Sequence, residues 1–414
     1  MSTISDREEL IHLLSEASEL EHGLCCCYLF AAFSLKRDES EDLTSSEHDA
    51  VTRWERVISG VALQEMLHLA LVSNLLTALG AAPHLRRPNF PQQSKYLPLT
   101  LRPFDERTLD HFIFIERPEG MEFPGGAGID VASPLPAQAD DGVEPVEVPF
   151  ASVGGLYRDI EEGFKSLCAR LSEERVFIGP PRAQATTGYF PFPGLVAVTD
   201  LASASKAIEE IVEQGEGLRG DIENSHYARF LTIRGELDRL RAGRPGFEPS
   251  RRVMENPFTE QPTDSTGCNL IDHPETRPIA ELFNACYGLM VEMLMRFFAH
   301  TEESHEELST LVATAIGTMQ GVIKPLGPML TSLPATTLDD GLRAGPSFAL
   351  YRSIDYLPHR DAAWAVFDER FTELADFSAQ LLNRQGCPAG LDRIHARIES
   401  LGANMRSQRR SRMR

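Results

Sequence analysis

Apolar positions recur along this chain at a helical period over most of its length. Leu10, Leu14, Ala17, Leu24 and Tyr28 share one face of a helix predicted over 7–35, with Ser5 or Asp6 as its cap. Residues 36–49 are charged and predict a solvated loop. A second helix is predicted over 51–79, stopped by Gly80 and Pro83, so the two form an αα-hairpin. From 83 to 149 prolines are dense, Gly125, Gly126 and Gly128 cluster, and helical periodicity is lost. Within this stretch HFIFIE at 111–116 reads as a strand. Insertions of this kind are usually functional or interfacial.

Helical spacing returns at 155–171 through Leu156, Ile160, Phe164, Leu167 and Leu171. After an irregular stretch at 177–193, a fourth helix begins at the capping Asp200, runs to Gln214, and breaks at Gly215, Gly217 and Gly220. Residues 221–241 are predicted helical as well. Two hairpins separated by a long crossover make a four-helix bundle. The fold class is therefore mainly α, with long irregular insertions and a helical C-terminal extension. The bundle occupies 1–241 with an insertion at about 83–150. Residues 242–278 read as a linker, 279–405 as the extension, and 406–414 as a basic, mobile tail ending in Arg414. The apolar helices after Ile279 are the basis for expecting a homo-oligomer.

Composition narrows the functional classes. The 414 residues carry 40 − 61 = −21 charges, and 42% are hydrophobic, which excludes a mostly disordered chain. The acidic surface repels polyanions, so nucleic acid is not an expected partner. The first 20 residues lack a signal peptide's apolar run. The longest apolar stretch, 60–79, is interrupted by Gln64, Glu65 and His68, which argues against a membrane span. Seven cysteines without a CxxC fit reduced thiols and a cytoplasmic location. Cys25, Cys26 and Cys27 point in three directions on a helix, so they read as packing residues.

The chemistry concentrates in a few charged positions inside apolar helices. Glu65 and His68, three apart, share a helix face in an otherwise apolar run. A buried carboxylate needs compensation, and a metal is one candidate. In the first helix Glu21 lies in line with Leu14, Ala17, Leu24 and Tyr28, whereas Glu16 and Glu19 lie on the polar side. One Glu plus one Glu-x-x-His is half of the ligand pattern of di-metal carboxylate bundles. For the second half, Glu161 stands at the margin of the third helix's apolar stripe, where a surface salt bridge is an equal alternative. His226 pairs either with Glu216, between the glycines of QGEG, or with Glu223 at the literal ExxH spacing. The reading favours Glu216 because irregular turns often mark sites, and keeps Glu223 as the alternative. Carboxylates and imidazole without thiolate suit iron or manganese.

Ordered segments then carry a resemblance. LSEASELEHGLCCCYLFAAFSLK (14–36), GVALQEMLHLALVSNLLTALGAAP (60–83), RPNFP (87–91), IVEQGEG (211–217), SHYARF (225–230), FNACYGLM and GPSF resemble the ferritin-like domain of the iminophenyl-pyruvate dimer synthase family. The resemblance implies a ferritin-like four-helix bundle with a dinuclear metal site. By position it matches Glu21, Glu65, His68, Glu216 and His226 to the family's acidic and histidine residues. Named members act in bisindole pathways, where they couple two imines derived from an aromatic amino acid. Those synthases are much longer chains, so their substrate is not carried over. The expected function is a di-iron (or manganese) oxidoreductase using O₂ on a small aromatic or amino-acid-derived substrate, by imine oxidation or coupling. The competing expectation is ferritin-like metal storage or oxidant handling without an organic substrate.

Overall fold

The computed structural model describes residues 4, 6–92, 97–118, 121, 152–217, 222–260, 267–338, 340–350 and 357–412. Ser5, Gly125, Gly126, Gly128, Gly220 and Arg414 lie outside the described residues. Two compact units are present. One comprises Met1–His84, Pro91–Thr187 and Phe192–Arg251; the other comprises Leu85–Phe90, Gly188–Pro191 and Arg252–Arg414.

In the first unit α1 (Arg7–Ser34) starts at Asp6, whose carboxylate accepts from the Glu9 amide. The second helix, α2 (Ser45–Ala78), starts six residues before the apolar pattern at 51 (51 − 45 = 6). A reciprocal Thr44–Glu47 capping box fixes that start, a local signal the apolar periodicity does not contain. After α3 (Glu106–Ile115) come α4 (Val153–Leu171), the single turn α5 (Glu173–Val176), α6 (Leu201–Gly215) and α7 (His226–Gly243). Helix α1 packs on α2 and α4, and α6 packs on α4 and α2, closing a four-helix ring. Helix α7 continues beyond the break in the fourth helix and packs on α3 and α2.

Helix α3 corrects the strand expected at HFIFIE. Asp105 caps it by accepting from Thr108 N, and His111, Phe112, Ile113 and Ile115 are all buried. The polar face of α3, with Glu106 and Asp110 paired to Arg234, precedes the six-residue window HFIFIE, so that short apolar run by itself does not reveal its class. Helix α7 begins five residues later than the expected 221 (226 − 221 = 5), because Ile222–Asn224 forms a 3-10 turn before the Ser225 cap. Helix α2 has the length and hydropathy of a membrane span, yet 78% of that window is buried inside the protein. That burial is what a core helix requires.

The second unit holds α8 (Arg277–Phe298), α9 (His305–Thr318), α10 (Lys324–Leu330), α11 (Arg360–Leu382) and α12 (Leu391–Arg412). A π turn at Met319–Ile323 joins α9 to α10, and Pro257–Phe258 pairs in parallel with Asn269–Leu270. The apolar side chains of α8, among them Met290, Met293, Phe297 and Phe298, are buried within this unit. The stripe that prompted an oligomer expectation thus already serves as core. Arginines expected as a mobile tail instead extend α12 as far as Arg412. Arg409 lies 3.0 Å and Arg406 3.7 Å from Asp368, and these ion pairs hold the last turns against α11.

Candidate metal centre

Five ionisable side chains meet inside the first unit, Glu21 from α1, Glu65 and His68 from α2, Glu116 after α3 and His226 at the start of α7, and a sixth, Glu216 after α6, is also buried. Each is at most 4% exposed. Glu21, Glu65 and His68 present ligand atoms all within 4.8 Å of one another, and so do Glu65, Glu116 and His226. Glu65 is common to both triads. His68 Nδ1 lies 3.0 Å from Glu65 Oε2 and 3.4 Å from Glu21 Oε2. His226 Nδ1 lies 3.0 Å from Glu65 Oε1 and 3.5 Å from Glu116 Oε1.

The first triad needs only regular helices. Glu65 and His68 are three apart on α2, and Glu21 faces them from α1, the helix α2 packs on most extensively. The second triad is built from helix ends. Glu116 is the C-terminal cap residue of α3, and His226 is the first residue of α7, fixed there by the Ser225 cap. Glu216 caps the C-terminus of α6, and its Oε1 accepts from Gly154 N at 2.8 Å, in the first turn of α4. That carboxylate complements the positive end of the α4 dipole. Gly154 is required there: a Cβ would collide with the Glu216 carboxylate. At Gly215 a Cβ would come within 3.3 Å of Glu116 Oε2, so the QGEG turn abuts the second triad.

Two phenols complete the surroundings. Tyr157 donates to Glu21 Oε1 and Tyr28 donates to Glu116 Oε1. Burial, reinforced by these carboxylates, pushes both phenols well above their ordinary pKa, so they remain donors. Burial also raises Glu21, to about 8, with the Glu65 charge adding to it. For Glu65 burial acts upward, but the His68 and His226 charges outweigh it and hold its carboxyl below the usual range. Burial lowers His226, but Glu116 and Glu65 outweigh that and take it to about 9. His68 is raised in the same way by Glu65 and Glu21 against the effect of burial.

The donor set fits a metal pair. His226 Nε2 is buried without a hydrogen-bonding partner, and its Nδ1 meets Glu65 Oε1 at ion-pair distance without hydrogen-bond alignment, which is costly for polar atoms unless something else binds them. The three carboxylates of the two triads, with neutral histidines, carry −3, a charge that bound cations would offset.

Of the residues singled out in sequence, Glu21, Glu65, His68 and His226 come together. Glu216 is buried next to them on Gly154, outside the two triads. Glu161 lies apart on α4, 3.2 Å from Lys165, and Glu223 is exposed on the 3-10 turn. Glu116 was not singled out, because its segment reads as a strand. The available signal was a carboxylate ending an apolar run.

Comparison with known proteins identifies the family. A family model described as ferritin-like matches residues 14–235. Dichlorochromopyrrolate synthase of Lentzea aerocolonigenes is 29% identical over 90% of this chain and 39% of its own length. The 2-imino-3-(indol-3-yl)propanoate dimerase of Chromobacterium violaceum is 26% identical over 83% of this chain and 34% of its own. The chain thus spans well under half the length of these relatives. A ferritin-like protein of Caulobacter vibrioides, known from a crystal structure, aligns with a TM-score of 0.47 at 20% identity, covering 75% of this chain and 93% of that one.

Proposed function

This chain belongs to the ferritin-like family, and from that premise we propose that its buried cluster holds two metal ions, iron or manganese, for an O₂-dependent oxidation of a small aromatic imino acid. The observation that carries the proposal is the pair of triads sharing Glu65. Glu21, Glu65 and His68 would hold one ion, and Glu65, Glu116 and His226 the other, with Glu216 beside the second. Bound there, the metal pair supplies O₂ binding and one-electron redox steps.

The protein's own groups do the rest. Tyr157 and Tyr28 orient the outer carboxylates of the two triads through their hydroxyls. The edge-to-face contact of Tyr28 with Phe112, at 4.6 Å between centroids, and its tilted contact with Phe230, at 5.2 Å, wall that side with apolar surface and exclude water. The substrate class follows the relatives' names. Joining two 2-imino-3-arylpropanoates breaks two C–H bonds and forms one C–C bond. It releases two electrons and two protons, which one O₂ takes up as H₂O₂. We place this chemistry in a reducing cytoplasm, since seven cysteines without a CxxC fit reduced thiols.

The test is metal analysis combined with an oxygen electrode. Protein grown with iron should carry about two metal ions per chain. It should consume O₂ when an arylpyruvate imine is generated in situ. Retention of less than about one ion per chain would sink the metal assignment. Metal-loaded protein that oxidises Fe²⁺ but leaves every imine untouched would favour storage or oxidant handling instead.

A further inference from the structure

We infer that Gln214 is a positioning residue: its side-chain oxygen holds the His68 ring with Nδ1 turned to Glu21 and Glu65. The inference rests on the metal-holding role proposed for that cluster. It comes from a chain of side-chain contacts leading outward from the site. His68 Nδ1 faces the two carboxylates, while Nε2 lies 3.2 Å from Gln214 Oε1. The amide orientation of Gln214 is fixed by its other partner. Its Nε2 donates to Glu210 Oε1 at 2.5 Å, and a carboxylate only accepts. The amide oxygen must then face His68.

The same oxygen accepts from Gln64 Nε2 at 3.1 Å, and Gln64 Oε1 accepts from Arg229 Nη1 at 2.6 Å. Direction is consistent throughout: Arg229 donates to Gln64, Gln64 to Gln214, and Gln214 to Glu210. An amide oxygen is an acceptor, so His68 Nε2 must donate to it. A neutral imidazole carrying its proton on Nε2 presents its lone pair at Nδ1, the atom that faces the carboxylates. Partners of this kind fix the tautomer and orientation of metal-ligating histidines. The Nε2 of His226 has no such partner. The two triads are therefore prepared unequally, and the QGEG turn that places Glu216 also prepares the first triad through Gln214.

The test titrates full-length metal-free protein with Co²⁺ and follows its visible absorption, with circular dichroism as a check on folding. Gln214→Leu keeps the volume and removes the acceptor, and should weaken binding of the first ion about 10- to 100-fold with an altered spectrum. The double variant Glu210→Gln/Gln214→Glu exchanges donor and acceptor but keeps an oxygen facing His68. It should recover most of that loss. A second readout needs no metal: in ¹⁵N-histidine-labelled protein the His68 Nε2 proton should be protected from solvent exchange, lost in Gln214→Leu, and restored in the double variant. Wild-type affinity and spectrum in Gln214→Leu, or a double variant as weak as the single one, would overturn the inference. So would absence of the protected proton in the wild type. Protein that shows this proton but binds no Co²⁺ would overturn the metal assignment and leave the positioning of the ring standing.

Discussion

The two triads share Glu65 but are built differently. Glu21, Glu65 and His68 stand in mid-helix on α1 and α2, and His68 is held from behind by Gln214. Glu116 and His226 stand at helix ends, and His226 has no hydrogen-bonding partner behind it at Nε2. A helix interior fixes a side chain through its backbone ladder and its packing. A helix end depends on caps and on neighbouring segments. The first triad should therefore be the pre-organised one, and the second should depend more on the ion that completes it.

The largest effect should come from removing what the triads have in common. Glu65→Ala should abolish both metal positions, lowering content from about two ions per chain to well below one by mass-spectrometric metal analysis. Retention of two ions would break the comparison at its root. Removing a ligand of the second triad alone should do half as much. His226→Ala or Glu116→Ala should leave about one ion per chain, with the tighter phase of a metal titration preserved. Loss of both ions would show that the first triad does not stand by itself.

Acidity should act next. Burial holds Glu21 at about 8, and the neighbouring carboxylates, outweighing burial, hold His226 at about 9. At neutral pH the metal-free protein thus carries a proton on each, and an entering ion must displace it. Affinity should rise with pH through this window, about tenfold per unit for each proton displaced, and level off above it. Proton release in weakly buffered solution measures this directly. An affinity flat between about pH 7 and 9 would contradict the protonation states assigned to Glu21 and His226.

The smallest effect should come from the phenols. Tyr28→Phe leaves Glu116 short of one donor and should cost about 1–3 kcal/mol of stability in the metal-free protein by urea denaturation. Tyr157→Phe should do the same for Glu21. A larger loss of metal affinity for Tyr28→Phe than for Tyr157→Phe would sharpen the view that the second triad is the less secured of the two.

The same contrast explains what could be read without a structure. Glu21, Glu65 and His68 interrupt apolar helix faces, and periodicity exposes such interruptions. His226 and Glu216 were visible through a break in the fourth helix, though spacing alone could not separate Glu216 from Glu223. Only the Gly154 amide and the burial of Glu216 distinguish them, since Glu223 is exposed on its turn. Glu116 escaped because the polar face that identifies its helix, at Glu106, Arg107 and Asp110, lies before the apolar run HFIFIE, and six residues are too short to tell helix from strand. Glu161 looked eligible at the margin of its stripe, and its Lys165 partner on the next turn accounts for it.

The sequence by itself determined the helical class, the two hairpins of the bundle and the first triad. Helical periodicity and isolated polar interruptions are local properties, and each is written within one or two turns. Tertiary structure decided the rest: that Glu116 joins His226 around Glu65, and that Gln214 faces His68. Those arrangements bring together residues as far apart as Glu65 and His226, 226 − 65 = 161 positions along the chain. Their geometry is set by which helix ends the packing brings to the same point, and no local pattern carries that information.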